Sequence, residues 1–516
     1  MACLLELSHE LLHCIFTEIE PADVASVSRT CRTLHSYVVG NRLLHKEIYI
    51  RRYDEPTINQ TEPNWEEEMR KTVRLEKLLE SEDWQVKRDN LGFIAEHINS
   101  LINTAHTDAD ESANVELLRD YFLDDSNIQT LLCSSSLFNT AGTELQIAAP
   151  TPSLRQASAK LHCLYGRPID PVPSKRCSAH YSISPFFAIR NINNATSPSS
   201  STRSQTRAYP AHTVARSKVY DLRQYTEHTL WGPFMDDGTQ NVDWEKVEAI
   251  MLVLGFNLNK FTERSGGRFE QVWDDPFVGA TPHSYISPPS ITDPSKELDE
   301  EISLVRELQP SIDSLDPYGV TGTWMRVVCF LDYNDLYAFN FNTEISPEEV
   351  REPIDTEEGI IYLEETLQVT KIEPPGSGEE DEDGEYGAPA GTTEGSGDGL
   401  DWSGFEGERL PVVHFRGTSR SLHASWDPNA NSRIRGTVRQ TPEGEIRWTT
   451  FSIFHGEERW RSEGIQVGGM RSARGILGSW FDKDFDRHGP AGPTAFWKIT
   501  DDVAEEKTSS MPIAYF

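Results

Sequence analysis

Apolar positions in the first fifty residues recur at helical spacing. Residues 11–19 place apolar side chains at i, i+1, i+4, i+5 and i+8, which is one face of a helix, and Ser8 supplies an N-cap. A second helix is predicted over residues 23–40, and a third begins at residue 43. The pattern therefore predicts a small three-helix domain over residues 1–53.

Helical spacing continues after this domain. The segments 65–82, 91–104 and 115–122 each carry apolar residues on one face, and the first of them is also highly charged. We therefore predict a helical linker region over residues 54–135.

From about residue 160 the pattern changes to short aromatic and β-branched runs separated by turn signals, which is typical of strands. One helix, over residues 244–254, interrupts them. This spacing predicts an antiparallel barrel or sandwich in a mostly β domain over residues 160–505, and hence an α+β chain. The predicted strands cover residues 323–333, 336–342, 359–363, 410–415, 433–439, 446–454, 459–467, 475–481 and 494–500.

Two segments of the β domain have the composition of flexible loops. Residues 194–206 are rich in Ser, Thr and Asn, and residues 373–408 contain twelve Asp and Glu without Lys or Arg. A segment with so little hydrophobicity and so much charge of one sign does not sustain a core. We predict that residues 373–408 form a disordered acidic insertion.

The whole chain of 516 residues is also acidic, with 48 Lys and Arg against 82 Asp and Glu and a formal net charge of −34. Binding to phosphates requires a basic surface, so we expect neither nucleic acid nor an anionic membrane as the main partner. The seven Cys are scattered and include no CxxC pair, which is typical of reduced thiols. We expect a cytoplasmic or nuclear protein, or one found in both compartments.

No motif indicates catalysis. His9 and His13 fit the zinc-protease pattern H-E-x-x-H, but no third ligand is close in sequence and the segment belongs to the first amphipathic helix. The Cys and His residues between 162 and 180 lack paired zinc-ligand spacing. Neither a nucleophile elbow nor a phosphate-binding glycine loop occurs. We predict no catalytic residue, no metal and no cofactor.

The N-terminal fifty residues resemble an F-box domain. The family pattern Leu-Pro-x-Glu-Leu-Leu-x-x-Ile-Phe stands here as Leu7-Ser8-His9-Glu10-Leu11-Leu12-His13-Cys14-Ile15-Phe16, and the later motifs as Pro21-Ala22-Asp23-Val24 and Thr30-Cys31-Arg32-Thr33-Leu34. Ser8, Thr30 and Leu34 stand where the family usually has Pro, Val and Trp.

This resemblance implies that apolar helix faces dock on a Skp-family adaptor, which joins a cullin scaffold and a ubiquitin-conjugating enzyme. The rest of the chain would capture a protein substrate, so the chain is expected to be the non-catalytic substrate-recognition subunit of an SCF-type ubiquitin ligase. A small domain this apolar has more hydrophobic surface than it can bury alone, although a packing domain without a partner is the alternative. The residues expected to form the core and the adaptor-binding face, which the sequence does not separate, are Leu7, Leu11, Leu12, Ile15, Phe16, Val24, Val27, Cys31 and Leu34.

The C-terminal two-thirds resembles the uncharacterised region that follows the F-box in many fungal proteins. Residues 217–222, 231–234, 243–250, 464–469 and 489–493 carry this likeness. It supports a fungal F-box protein and implies no chemistry.

Residues 409–475 are locally basic, with eleven Arg, no Lys and only six Asp and Glu. Arginine without lysine favours bidentate recognition of carboxylate or phosphate, so this region is a candidate for binding an acidic or phosphorylated degron. The alternative is that these arginines line the solvated faces of strands. The candidate anion-binding residues are Arg416, Arg420, Arg433, Arg435, Arg439 and Arg447.

Two other functions remain open. Gly322-Thr323-Trp324 and Gly478-Ser479-Trp480 are similar to the G-x-W that opens a lipocalin-like barrel, where the Trp plugs one end. The chain would then bind a small ligand in the barrel. An F-box scaffold that acts outside the ligase, with the adaptor alone, is the other alternative.

Overall fold

A computed structural model describes residues 4–56, 62–142, 147–169, 209–265, 273, 275–285, 312–342, 346, 349–375, 410–422 and 430–503, with the backbone alone at Leu5 and Ser265. The predicted loop at residues 194–206 lies outside the described residues. Residues 376–408 of the predicted acidic insertion also lie outside the described residues. The first residue of that insertion, Glu373, is the last residue of a strand.

The N-terminal domain contains four short helices among the described residues, and the prediction of three was wrong. The predicted second helix is interrupted at Cys31, whose backbone is extended (φ −157°, ψ 165°) and whose Sγ caps the Leu34 amide. The break lets Val24 and Leu34 face one core. Ser8 caps the first helix as predicted. The helices are α1 (His9–Phe16), α2 (Pro21–Ser28), α3 (Arg32–Val38) and α4 (Arg42–Ile50).

A larger helical layer follows. Its apolar faces form one continuous core, in which Leu91, Ile94, Ile98, Leu131 and Phe138 are fully buried. The helices are α5 (Trp65–Leu79), α6 (Trp84–Asp89), α7 (Leu91–Asn103), α8 (Ala113–Tyr121), α9 (Asp125–Asn127, continued by a π turn), α10 (Ser136–Ala141), α11 (Pro152–Tyr165), α12 (Ala211–Val219) and α13 (Trp244–Ser265).

The mostly β structure predicted from residue 160 begins only at Gly322 among the described residues, so that boundary was wrong. Helix α13 is longer than predicted and is apolar on every side over residues 249–254, because it packs against α11 and α12 and also against the sheet. The strand predicted over residues 336–342 is instead part of helix α14 (Tyr333–Phe341), which Asp332 caps.

The C-terminal half forms a closed antiparallel barrel of eight strands among the described residues. Each strand pairs with its neighbour in sequence, and the first pairs with the last, which decides between the predicted barrel and sandwich. The strands are β1 (Gly322–Phe330), β2 (Gly359–Glu373), β3 (Val412–Ser421), β4 (Ser432–Gln440), β5 (Ile446–Phe454), β6 (Glu457–Gln466), β7 (Ile476–Asp482) and β8 (Ala491–Thr500).

The barrel interior is apolar at one end and polar at the other. Trp324, at the start of β1, packs edge-on against Trp448 and Phe496 and plugs the apolar end. In the polar half, Arg326 donates to Glu365 Oε1 at 3.2 Å, and both side chains are buried. Thr450, Ser462 and Thr494 complete the hydrogen bonds of the guanidinium.

The helical layer is joined to the barrel by buried charges. The fully buried carboxylate of Glu358, one residue before β2, accepts hydrogen bonds from Arg216 and Tyr220 at 2.5 Å and from Asn257 at 2.8 Å. On the outer face of β5 and β6, Glu463 binds Arg447 and Arg461. Burial alone would raise the pKa of Glu463, but the two guanidinium charges outweigh it and lower that pKa.

The buried ion pair inside the barrel generates a stability prediction. We expect Arg326→Met to cost about 3–5 kcal/mol of unfolding free energy, because Glu365 would remain charged and unpaired in the interior. The control is Arg420→Met, which removes an exposed pair with Glu364 on the adjoining strands and should cost about 0–1 kcal/mol. Urea unfolding of both variants measures the difference. If Arg326→Met and Arg420→Met lose the same unfolding free energy, the buried pair stabilises the chain no more than the exposed pair does.

The stability of the folded chain should depend on pH through Lys246. Lys246 on α13 is buried and donates to the last carbonyls of α12, and burial, together with the charge of Lys218, lowers its pKa to about 7. Between pH 7 and the ordinary value of 10.5 the unfolded chain binds a proton that the folded chain does not, so this group makes stability rise with pH.

The comparison is with Lys246→Met, which removes the titrating group. Relative to this variant, the wild type should gain up to about 1.4 kcal/mol per pH unit between pH 7 and 10.5. Chemical unfolding at several pH values measures it, with Lys260→Met, at a half-buried position of the same helix, as the control. If the difference in unfolding free energy between the wild type and Lys246→Met stays constant from pH 7 to 10.5, the Lys246 amine is not buried in its neutral form.

Candidate functional site

The first helix has two apolar faces with different exposure. Leu12 and Phe16 are buried, with only 5% and 3% of their surface exposed, whereas Leu11 and Ile15 remain 53% and 42% exposed. Spacing of four residues places Leu11 and Ile15 one above the other on the same side of α1. The helix therefore contributes one face to the core and keeps a second apolar face toward solvent.

Further exposed apolar residues come from α4 and the turn before it. His13 Nε2 lies 2.9 Å from Glu47 Oε2, which places α1 beside α4. Leu43 is four residues before Glu47, so it lies on that same side of α4, and it is 58% exposed. Val39, which ends α3, is 45% exposed. The domain thus presents several large apolar side chains that nothing in the described structure covers.

A groove of about 720 Å³ runs between the start of α1 and α3. Leu7, Leu12 and Leu34 line it, together with Val39, and the ring of Tyr37 stacks on His9 with 5.8 Å between centroids. Burial raises the pKa of Tyr37, and the Ser8 hydroxyl lowers the pKa of Glu10 at the helix start. Polar residues, among them Arg32 and Asn41, also line the groove.

The structure separates the residues that the sequence grouped together. The buried members are Leu12, Phe16, Val24 and Leu34, the half-buried members are Leu7, Val27 and Cys31, and the exposed members are Leu11 and Ile15. The sequence reasoning missed Val39 and Leu43 as surface residues. A signal for Leu43 was its position beside Leu44, whose spacing of four residues to Ile48 marks the side of α4 that packs in the core.

The six candidate arginines all lie on the outer face of the barrel, but they do not form one free cationic patch. Arg447 is buried against Glu463, Arg435 pairs with Glu458, and Arg420 pairs with Glu364. Arg439 is half-buried. Arg416 and Arg433 remain exposed, and within the described part of the chain neither has an ion-pair partner.

Two further observations on the described residues concern metal binding and membrane crossing. No group of three or more His, Cys, Asp or Glu is placed to hold a metal ion there. No helix in the described ranges combines the length and the apolar character needed to cross a membrane.

Comparison with known proteins identifies the N-terminal domain. Residues 4–46, which cover α1–α3 and the first half of α4, match the family model of the F-box domain. Neither the search of curated proteins nor the search of solved structures found a match. F-box domains generally bind a Skp-family adaptor within SCF complexes, and F-box proteins are generally non-catalytic adaptors. The chain therefore contains an F-box domain, over residues 4–46.

Proposed function

We propose that this chain is the substrate-recognition subunit of an SCF-type ubiquitin ligase. The observation that carries the proposal is the exposed apolar surface of Leu11, Ile15 and Leu43 within the segment that matches an F-box. Isolated large apolar side chains on a surface are common, but a cluster on two adjoining helices indicates a docking site for another protein. The occupant that we infer is a Skp-family adaptor, which then connects the chain to a cullin scaffold.

The barrel with its helical layer would capture the substrate. This part of the chain performs no bond chemistry in the proposal; it raises the concentration of the target protein near the ubiquitin donor. The exposed Arg416 and Arg433 favour a target segment that is acidic or phosphorylated. A cytoplasmic or nuclear location, or both, follows from the proposed role.

Small-ligand binding in the barrel bore has less support. Trp324, Trp448 and Phe496 fill the apolar end of the bore, with Phe415 packed against Trp448, so that half holds side chains in place of a ligand. In the polar half, Glu365 Oε2 and Ser419 Oγ are buried without a hydrogen-bond partner, and these residues face each other across β2 and β3. Buried polar atoms of this kind are commonly bridged by an internal water molecule.

Adaptor docking should depend on the exposed apolar face of α1. The double variant Leu11→Asp/Ile15→Asp places two carboxylates on the proposed interface, where they would be desolvated, so adaptor affinity should fall by more than about 100-fold. Co-purification of adaptor and cullin with the full chain is the measurement. The control is Leu123→Asp, a change of equal chemistry at a residue that is 79% exposed and lies outside the F-box.

The fold of each variant is checked by circular dichroism. Loss of both partners in the double variant, but not in the control, supports the proposal. Capture of adaptor without cullin by the wild type would indicate a scaffold outside the ligase. Capture of neither partner would mean that the F-box serves only for packing within the chain.

A further inference from the structure

A cavity of about 330 Å³ lies at the end of the barrel where β1 begins. Trp324 forms its floor, and the indole is fixed by a 2.9 Å hydrogen bond to the carbonyl of Val320. Tyr285 and Tyr318 form two aromatic walls. This volume is at the lower end of the range for small-molecule sites and fits a group of about the size of one amino acid.

Two cations line the cavity. The Arg471 guanidinium donates from Nη2 to the carbonyl of Asp316 at 2.8 Å, and its Nε is buried without a hydrogen-bond partner. Lys498 is 7% exposed and donates to the carbonyl of Gly319 at 2.7 Å. Arg471 makes no direct ion pair with a described residue, although the Asp316 carboxylate interacts with its charge at longer range.

The carboxylates around the cavity already have partners. Both oxygens of Asp316 accept backbone amides, from Tyr318 at 2.8 Å and from Val320 at 2.6 Å. Asp501 pairs with Lys498, and Asp313 accepts the Thr321 hydroxyl at 2.5 Å. These described carboxylates therefore leave the buried Nε donor of Arg471 unused.

The backbone holds Arg471 in an unusual conformation that directs it to this place. Its φ is 54°, in the left-handed region that residues other than Gly, Asn and Asp seldom adopt. The carbonyl of Arg471 accepts the Tyr285 amide at 3.0 Å, which clamps the β6–β7 loop against residues 275–285. At Gly319 a Cβ would lie 2.9 Å from Arg471 Nε, so glycine leaves room for the side chain. Such conformations are concentrated at binding sites, where surrounding contacts maintain them.

We propose that this cavity binds an apolar carboxylate, with the carboxylate group on Arg471 and the hydrocarbon part between Tyr285, Tyr318 and Trp324. A peptide C-terminus and a free aromatic or branched-chain acid share this chemistry. If the ligand is a peptide C-terminus, the cavity is a substrate site, and that assignment rests on the proposed receptor function. Binding by the purified chain needs no adaptor, so it can fail or succeed independently of adaptor docking.

The experiment compares N-acetyl-phenylalanine and N-acetyl-leucine with their C-terminal amides by titration calorimetry on the full chain. The free acids should bind, and the amides should bind at least tenfold more weakly because they lack the charge that pairs with Arg471. This preference is read in the wild type, so it does not depend on the folding of any variant. Equal affinity for acid and amide, or no binding of either acid, would overturn the proposal.

Variants and longer probes then locate the site and its source of ligand. Arg471→Gln should weaken acid binding at least tenfold, whereas Arg459→Gln, at an exposed position on β6, should leave it unchanged. Unchanged binding in a folded Arg471→Gln chain would overturn the assignment. A ten-residue peptide that ends in phenylalanine distinguishes the sources: tighter binding than the acetylated acid indicates a peptide end, and exclusion of the peptide indicates a free acid.

Discussion

One buried carboxylate holds the two halves of this chain together. Glu358 stands one residue before β2 and is bound by Arg216 and Tyr220 from the α12 segment and by Asn257 from α13. A charge removed from water costs several kcal/mol unless its partners remain in place. The helices therefore cannot separate from the barrel without leaving that charge unpaired, and the helical layer and the barrel behave as one structural unit.

Most of the barrel and the helices α5, α7 and α8 could be predicted from sequence, whereas α11, α12 and the full length of α13 could not. The meander from β4 to β8 shows alternating runs and turn residues, and the predicted strands lie within about three residues of the observed ends. The helix over residues 244–254 was predicted, but its continuation to Ser265 was not, because polar residues interrupt the apolar run after Leu254. The aromatic run at 336–342 misled the prediction for another reason, since Tyr333, Tyr337 and Phe341 contact one another at helical spacing.

The candidate site was predicted in outline and resolved only by the structure. Helical spacing identified Leu11 and Leu12 together, but only packing against α3 and α4 shows which of them is covered. Among the arginines, Arg447 could not be recognised as structural because its partner Glu463 is sixteen residues away on the next strand. Arg471 was missed as a candidate because its place beside the cavity depends on loop geometry rather than on sequence spacing.

Closure of the barrel has a consequence for how this chain can recognise another protein. Because β1 pairs with β8, every described strand of the barrel has a neighbour on both sides, and the main-chain donors and acceptors in these ladders are already used. Where both neighbours are paired, a partner cannot bind this sheet by adding a strand, which is the route that peptide-binding domains with open sheets use. Recognition must rely on side chains and on the loops at the two ends, so its specificity can change through loop substitutions while the barrel itself stays the same.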